Sequence, residues 1–199
     1  MLDENCLECC GTHIGLDTLL GDQLKKTVEF NRTLGNRFLI VSYMGEDRLG
    51  TIEKAKATAQ LFTELAAKVK ADNMRVGYHA HGGDFKKIDG KTHWEAFFDC
   101  AGPDVAMQMD LGNCLEGGGD PIAMLKKYPG RSATIHLKEH GGKPGAVIGE
   151  GVVKWQQDVF PICESTGKTE WYIVEQEAYA GSPLDSVKRC LENLHKMGR

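Results

Sequence analysis

Short apolar, β-prone runs alternate with longer amphipathic stretches along this chain, and the alternation repeats six times. The runs predicted as strands are Leu7–His13, Phe38–Tyr43, Arg75–His81, Val105–Leu111, Ser132–Leu137 and Trp171–Glu177. Between them, Asp22–Leu34 and Thr51–Asp72 read as helices. In the second, Ile52, Ala55, Ala59, Phe62, Leu65, Ala66 and Val69 recur at helical spacing, so one face is expected to be buried. Later helices open on recognisable caps: Asp120 before Pro121, and Ser182 before Pro183, the last helix running to about Lys196. Lys154–Ser165 supplies the helix between the fifth and sixth strands. In DFKKIDGKTHW, the Asp89-Gly90 pair between two short β-prone runs predicts a small hairpin over the rim.

A strand followed each time by a helix predicts a parallel sheet with helices outside it. Nearly continuous apolar strands leave a closed barrel and an open doubly wound sheet as the two architectures. The strand ends separate them, because a barrel gathers polar side chains from many strands at its C-terminal rim. Four of the last five strands carry a metal-ligand type at about the fifth or sixth residue: His79 in RVGYHAH, Asp110 in VAMQMDLGN, His136 in SATIHLKEH and Glu175 in WYIVEQE. An unpaired charge at a buried strand end costs several kcal/mol, and one divalent cation satisfies all four. Two imidazoles and two carboxylates make a mixed nitrogen and oxygen set suited to Mn, Fe, Co, Ni or Zn rather than Mg. By strand alternation His81 shares the face of His79, so either can be the ligand, and depth selects His79. Lys138 and Glu177 share the inward parity of His136 and Glu175, and His13 closes the first strand at similar depth. Lys138 and Glu177 are therefore candidates to contact the substrate or support the ligands, and His13 and Asn113 are candidates to contact the substrate.

The composition adds exclusions. With 199 residues, 41% of them hydrophobic and 26% charged, the chain can form one domain, 1–199, around one core. A net charge of −4 with scattered basic residues leaves no footprint for nucleic acid. No apolar run approaches the roughly 18 residues of a membrane helix. The start, MLDENCLECCG, has neither the basic nor the apolar part of a signal peptide, so a cytoplasmic location is expected. Seven cysteines, an odd number, read as free thiols. Cys6, Cys9 and Cys10 form a CxxCC cluster that could serve redox chemistry or zinc, but no second CxxC follows and Cys9 and Cys10 fall in a predicted strand. HLKEH lacks the helix and the adjacent Glu that a zinc-protease motif needs. Gly117–Gly119 and Gly149–Gly151 match neither phosphate-binding fingerprint and read as flexible loops.

GYHAHGGDF, the MDLGN strand end, KKYPGR leading into IHLKEH, the IGEG loop and WYIVEQE resemble, in that order, the sugar phosphate isomerase/epimerase family of xylose-isomerase-like TIM barrels. The resemblance runs over essentially the whole chain. It implies an α/β fold, an incomplete (β/α)8 barrel with about six parallel βα units, because the family's barrels begin two strands earlier. Open sheet edges then imply a homo-oligomer that covers them. For the site it implies a divalent metal, manganese first, held at His79, Asp110, His136 and Glu175. The implied activity is sugar or keto-sugar isomerisation or epimerisation by proton transfer beside a metal-bound carbonyl. Ketose epimerases of the family share that transfer between two metal-bound glutamates. Here His79 stands in place of the first, leaving Glu175 as base, with Lys138 or His81 on the opposite face. A keto-glycoside or inosose lyase or dehydratase on the same site, and a truncated barrel that binds sugar without turnover, are the alternatives. An abasic-site endonuclease is disfavoured by the acidic balance.

Overall fold

Among the described residues, six of the eight strands form one parallel sheet, and the other two, lying between its third and fourth members along the chain, form a separate hairpin. The computed structural model describes residues 2–199. Contacts divide the chain into two compact units, Met1–Gln108 and Met109–Arg199.

The first unit contains β1 (Thr12–Ile14), β2 (Phe38–Val41), β3 (Arg75–His79), the hairpin strands β4 (Lys87–Ile88) and β5 (Lys91–Thr92), and most of β6 (Ala106–Asp110). β1 pairs with β2, β2 with β3, and β3 with the Ala106–Gln108 part of β6, all in parallel. The helix Ile52–Val69 starts where Thr51 accepts the Lys54 N–H, and it buries Ala55, Ala59, Phe62, Leu65, Ala66 and Val69, matching the periodicity. Phe62 meets Phe97 edge to face at 5.1 Å between ring centres, and Tyr78, Trp94 and Phe98 complete an aromatic core. Burying each such ring contributes ~2 kcal/mol or more. The hairpin forms as expected, with Asp89 and Gly90 both at positive φ, the pairing a two-residue hairpin turn requires.

In the second unit, Met109 and Asp110 of β6 pair with β7 (Thr134–Leu137), and β7 pairs with β8 (Trp171–Val174), again in parallel. Asp120 and Ser182 cap the helices Pro121–Lys127 and Pro183–Lys196, each with proline at its start. The helix expected at Lys154–Ser165 is instead two wide π-type turns, Trp155–Val159 and Cys163–Gly167, flanking Phe160–Ile162. Pro161 offers no N–H to a regular ladder.

Two expectations need correction. The first strand begins at Thr12, not Leu7, and Cys9 and Cys10 precede it. The apolar content of residues 7–11 resembled a strand, but the register with β2 starts only at Thr12. The strands also end early, leaving Tyr43, His81, Leu111 and Glu177 outside them. At two of these ends a carboxylate turns the chain: Asp110 caps the helix Leu111–Glu116, and Asp84 accepts the His81 N–H at 2.8 Å. Among the described residues no helix is long and apolar enough to cross a membrane.

Candidate metal and substrate site

In the second unit, parallel register sets Asp110 beside His136 on adjacent strands. Glu175 follows β8, its N–H bonded to the Leu137 carbonyl at 3.0 Å. Asp110 is completely buried. Its Oδ1 accepts the Asn113 N–H at 2.7 Å. Its Oδ2 has no hydrogen-bond partner among the described residues, and His136 Nδ1 faces it at 3.9 Å. The same His136 Nδ1 bonds to Glu175 Oε2. One ligand-type atom from each of Asp110, His136 and Glu175 lies within 4.8 Å of the others.

Burial, and next the nearby Glu175 charge, push the Asp110 carboxyl from 3.8 up to about 8 against the opposing Asn113 N–H bond. A carboxyl held that far above its ordinary range, with an orphaned oxygen aimed at an imidazole and a second carboxylate, fits a divalent cation in donor type and in missing charge.

Lys138, just past β7, donates to Asn113 Oδ1 at 2.7 Å and to Glu177, and lies 4.0 Å from Glu175 Oε1. Burial alone would lower its pKa. The bond to Glu177 and the charges of Asp110, Glu177 and Glu175 outweigh that, so it is raised and the ammonium is held charged. Gly112 makes this position possible, since a Cβ there would sit 2.6 Å from Lys138 Cγ. A polar cavity of about 260 Å³ adjoins, lined by Glu116, Lys138, Lys143, Glu175 and Glu177 among others.

In the first unit, His79 is buried at the end of β3 and His13 is exposed on β1. Their rings lie 4.7 Å apart. Both contact Gln108 Oε1, His13 through Nε2 at 2.6 Å and His79 through Nδ1 at 3.1 Å. His81 packs edge-on against His79 at 4.9 Å, but the turn after β3, rather than strand alternation, brings it there.

Asp110, His136, Glu175, Lys138, Asn113 and Glu177 thus converge in one unit, and His13, His79 and His81 in the other. Sequence reading missed Gln108, whose only signal is its parity with Asp110. It also missed Asp84, which accepts from Tyr78 Oη at 2.9 Å and is pushed by burial to about 6. Glu139 was missed too. It accepts from Gly149 N at 2.7 Å, Trp155 Nε1 at 2.8 Å, His140 N at 3.0 Å and Val153 N at 3.2 Å, and so ties down the loop after β7.

No family model matches the chain. It is 26% identical over 165 residues to the rhizopine catabolism protein MocC of Rhizobium meliloti, covering 73% of this chain and 50% of that protein. To an inosose dehydratase of Bacillus anthracis it is 24% identical over 189 residues, covering 78% and 62%. The chain therefore spans between half and five eighths of the length of these curated relatives. A crystal structure of a sugar phosphate isomerase/epimerase from Parabacteroides distasonis superposes with a TM-score of 0.81 at 22% identity, over 98% of this chain and 78% of that one. The six-stranded parallel sheet of this chain thus has the fold of an incomplete xylose-isomerase-like TIM barrel.

Proposed function

We propose that this chain carries the active site of a divalent-metal-dependent enzyme that isomerises or epimerises a sugar or keto-sugar. The observation that carries the reading is the buried, partnerless Asp110 Oδ2 facing His136 and Glu175. Asp110, His136 and Glu175 supply the ligands. An imidazole and two carboxylates favour a first-row metal, manganese first.

When bound, the cation polarises a substrate carbonyl and its neighbouring hydroxyl. Glu175 takes the proton from the adjacent carbon. Lys138, kept charged by Glu177, acts as acid and as a positive charge beside the oxygen on which negative charge develops, rather than as a second base. The carboxylates around the adjoining cavity suit hydroxyl groups and repel a phosphate.

A dehydratase is the second reading, favoured by the inosose dehydratase relatives. The same proton leaves to Glu175, a C=C bond forms, and the β-hydroxyl departs as water with a proton from Lys138. Turnover of unphosphorylated keto-sugars and keto-inositols, followed by NMR with Mn²⁺ and with chelator, tests both. Epimer or isomer exchange supports the first, an unsaturated product the second. Ligand-induced thermal stabilisation without any product would show a binding protein and overturn both.

A further inference from the structure

We propose that Asn113 and Glu177 are positioning residues that pin two of the three N–H groups of Lys138 and leave the third as a single donor for one substrate oxygen; this rests on the active-site reading above. The three residues come from separate segments of the second unit. Lys138 follows β7, Glu177 lies two residues beyond Glu175 after β8, and Asn113 stands in the first turn of the helix Leu111–Glu116. The Asn113 backbone N–H is given to Asp110 Oδ1 at 2.7 Å, which fixes the residue, and its side-chain oxygen accepts from Lys138 Nζ at 2.7 Å. Glu177 accepts a second bond from the same nitrogen. Glu175 Oε1, at 4.0 Å, is beyond hydrogen-bond reach and takes no third.

An ammonium has three donors and no acceptor. They are set tetrahedrally, so once two are aimed at Asn113 and Glu177 the direction of the third is fixed as well. The Lys138 side chain is only 14% exposed and lines the polar cavity beside Glu175, so an acceptor for that third N–H has to come from what enters the cavity. A single remaining donor suits one oxygen, such as a carbonyl that gains negative charge during reaction. It does not suit the two-point grip on a carboxylate or phosphate that a fork of donors provides. Asn113 and Glu177 each engage an acceptor oxygen with Lys138, which makes them its supports rather than the substrate contacts that the sequence suggests.

The experiment uses the full chain as wild type, Asn113→Ala, Glu177→Ala and Glu177→Gln. In the chelator-stripped proteins the Lys138 ammonium is followed by ¹H–¹⁵N NMR in the cold below neutral pH, its signal assigned by its loss in Lys138→Met. An ammonium held by two acceptors exchanges its protons slowly enough to be seen, and a solvated one does not. Wild type should show the signal, both alanine variants should lose it, and Glu177→Gln, which keeps an acceptor oxygen, should retain it. The same proteins with Mn²⁺ are then assayed on unphosphorylated keto-sugars and keto-inositols. Positioning predicts kcat falling roughly 10- to 100-fold in the alanine variants at nearly unchanged KM, with Glu177→Gln closer to wild type. Far-ultraviolet circular dichroism confirms folding, and the exposed Glu177 still decides the matter if Asn113→Ala does not fold. A wild type without the ammonium signal, alanine variants that keep it, or KM raised at unchanged kcat overturns the proposal. Wild type that shows the signal but turns over none of these compounds overturns the active-site reading instead, and with it the substrate role of the third N–H.

Discussion

Replacing Asp110 by Asn should move stability and metal binding in opposite directions. The Asp110 carboxyl lies at about 8 in the folded chain against 3.8 ordinarily, so folding favours its protonated form. A group raised on folding contributes stability that is fully present below its unfolded value and lost as pH climbs through the folded one. Metal-free wild type should therefore lose stability from about pH 4 to pH 8. At ~1.4 kcal/mol per pH unit, the loss from this group by pH 7 is on the order of 4 kcal/mol at most. In a chain of this size that corresponds to roughly 10 °C in Tm.

Asparagine keeps the oxygen that caps Asn113 and places an amide donor where the orphaned Oδ2 faces Glu175 and His136. The variant should match wild type near pH 4 and exceed it at pH 7 to 8 when both are free of metal. With saturating Mn²⁺ the order should reverse, because only wild type gains the binding energy. Denaturation of both proteins at pH 4, 6 and 8, with chelator and with Mn²⁺, measures this. Asp84, also raised on folding, changes both proteins alike and cancels in the difference. A variant less stable than metal-free wild type at every pH would refute the electrostatic account of Asp110.

Gly112→Ala should push Lys138 off Asn113 and Glu177, since its Cβ would come within 2.9 Å of Lys138 Cβ as well as 2.6 Å of Cγ. The expected cost is ~1–3 kcal/mol in denaturation, with catalytic rate falling more than metal affinity. Glu139→Gln turns an amide NH₂ toward two of the N–H groups its carboxylate now accepts, and should cost ~2–4 kcal/mol. Limited proteolysis should then cut between Gly141 and Val153 before the rest of the chain, and equal resistance to wild type would count against the clamp. Thr92→Ala removes the capping box of the helix His93–Phe98 and should cost about 1 kcal/mol while leaving Mn²⁺ affinity unchanged.

The sequence was most legible where one residue type does one job. Apolar runs such as Phe38–Val41 are buried along their length, and Asp120-Pro121, Ser182-Pro183 and Asp89-Gly90 acted through local backbone chemistry that needs no tertiary context. The ligand types at strand ends were visible because charge there conflicts with burial. The extent of the first strand was not, because Leu7–Gly11 has strand-like composition but no pairing partner in the ladder with β2. His81 left its strand because a carboxylate three residues on captures its N–H. Gln108 and Glu139 escaped notice for a related reason. An amide in a strand and a glutamate near a loop look ordinary until the groups that donate to them, from distant parts of the chain, are known.

On the proposed reading, Asp110, His136 and Glu175 together hold a divalent cation. Titrating Mn²⁺ into the chelator-stripped full chain, with free Mn²⁺ followed by electron paramagnetic resonance, tests it directly. One equivalent bound by wild type and none by Asp110→Ala or Glu175→Ala is the predicted result. Wild type that leaves all Mn²⁺, Co²⁺ and Zn²⁺ free, or alanine variants that still bind one equivalent as tightly, would contradict it.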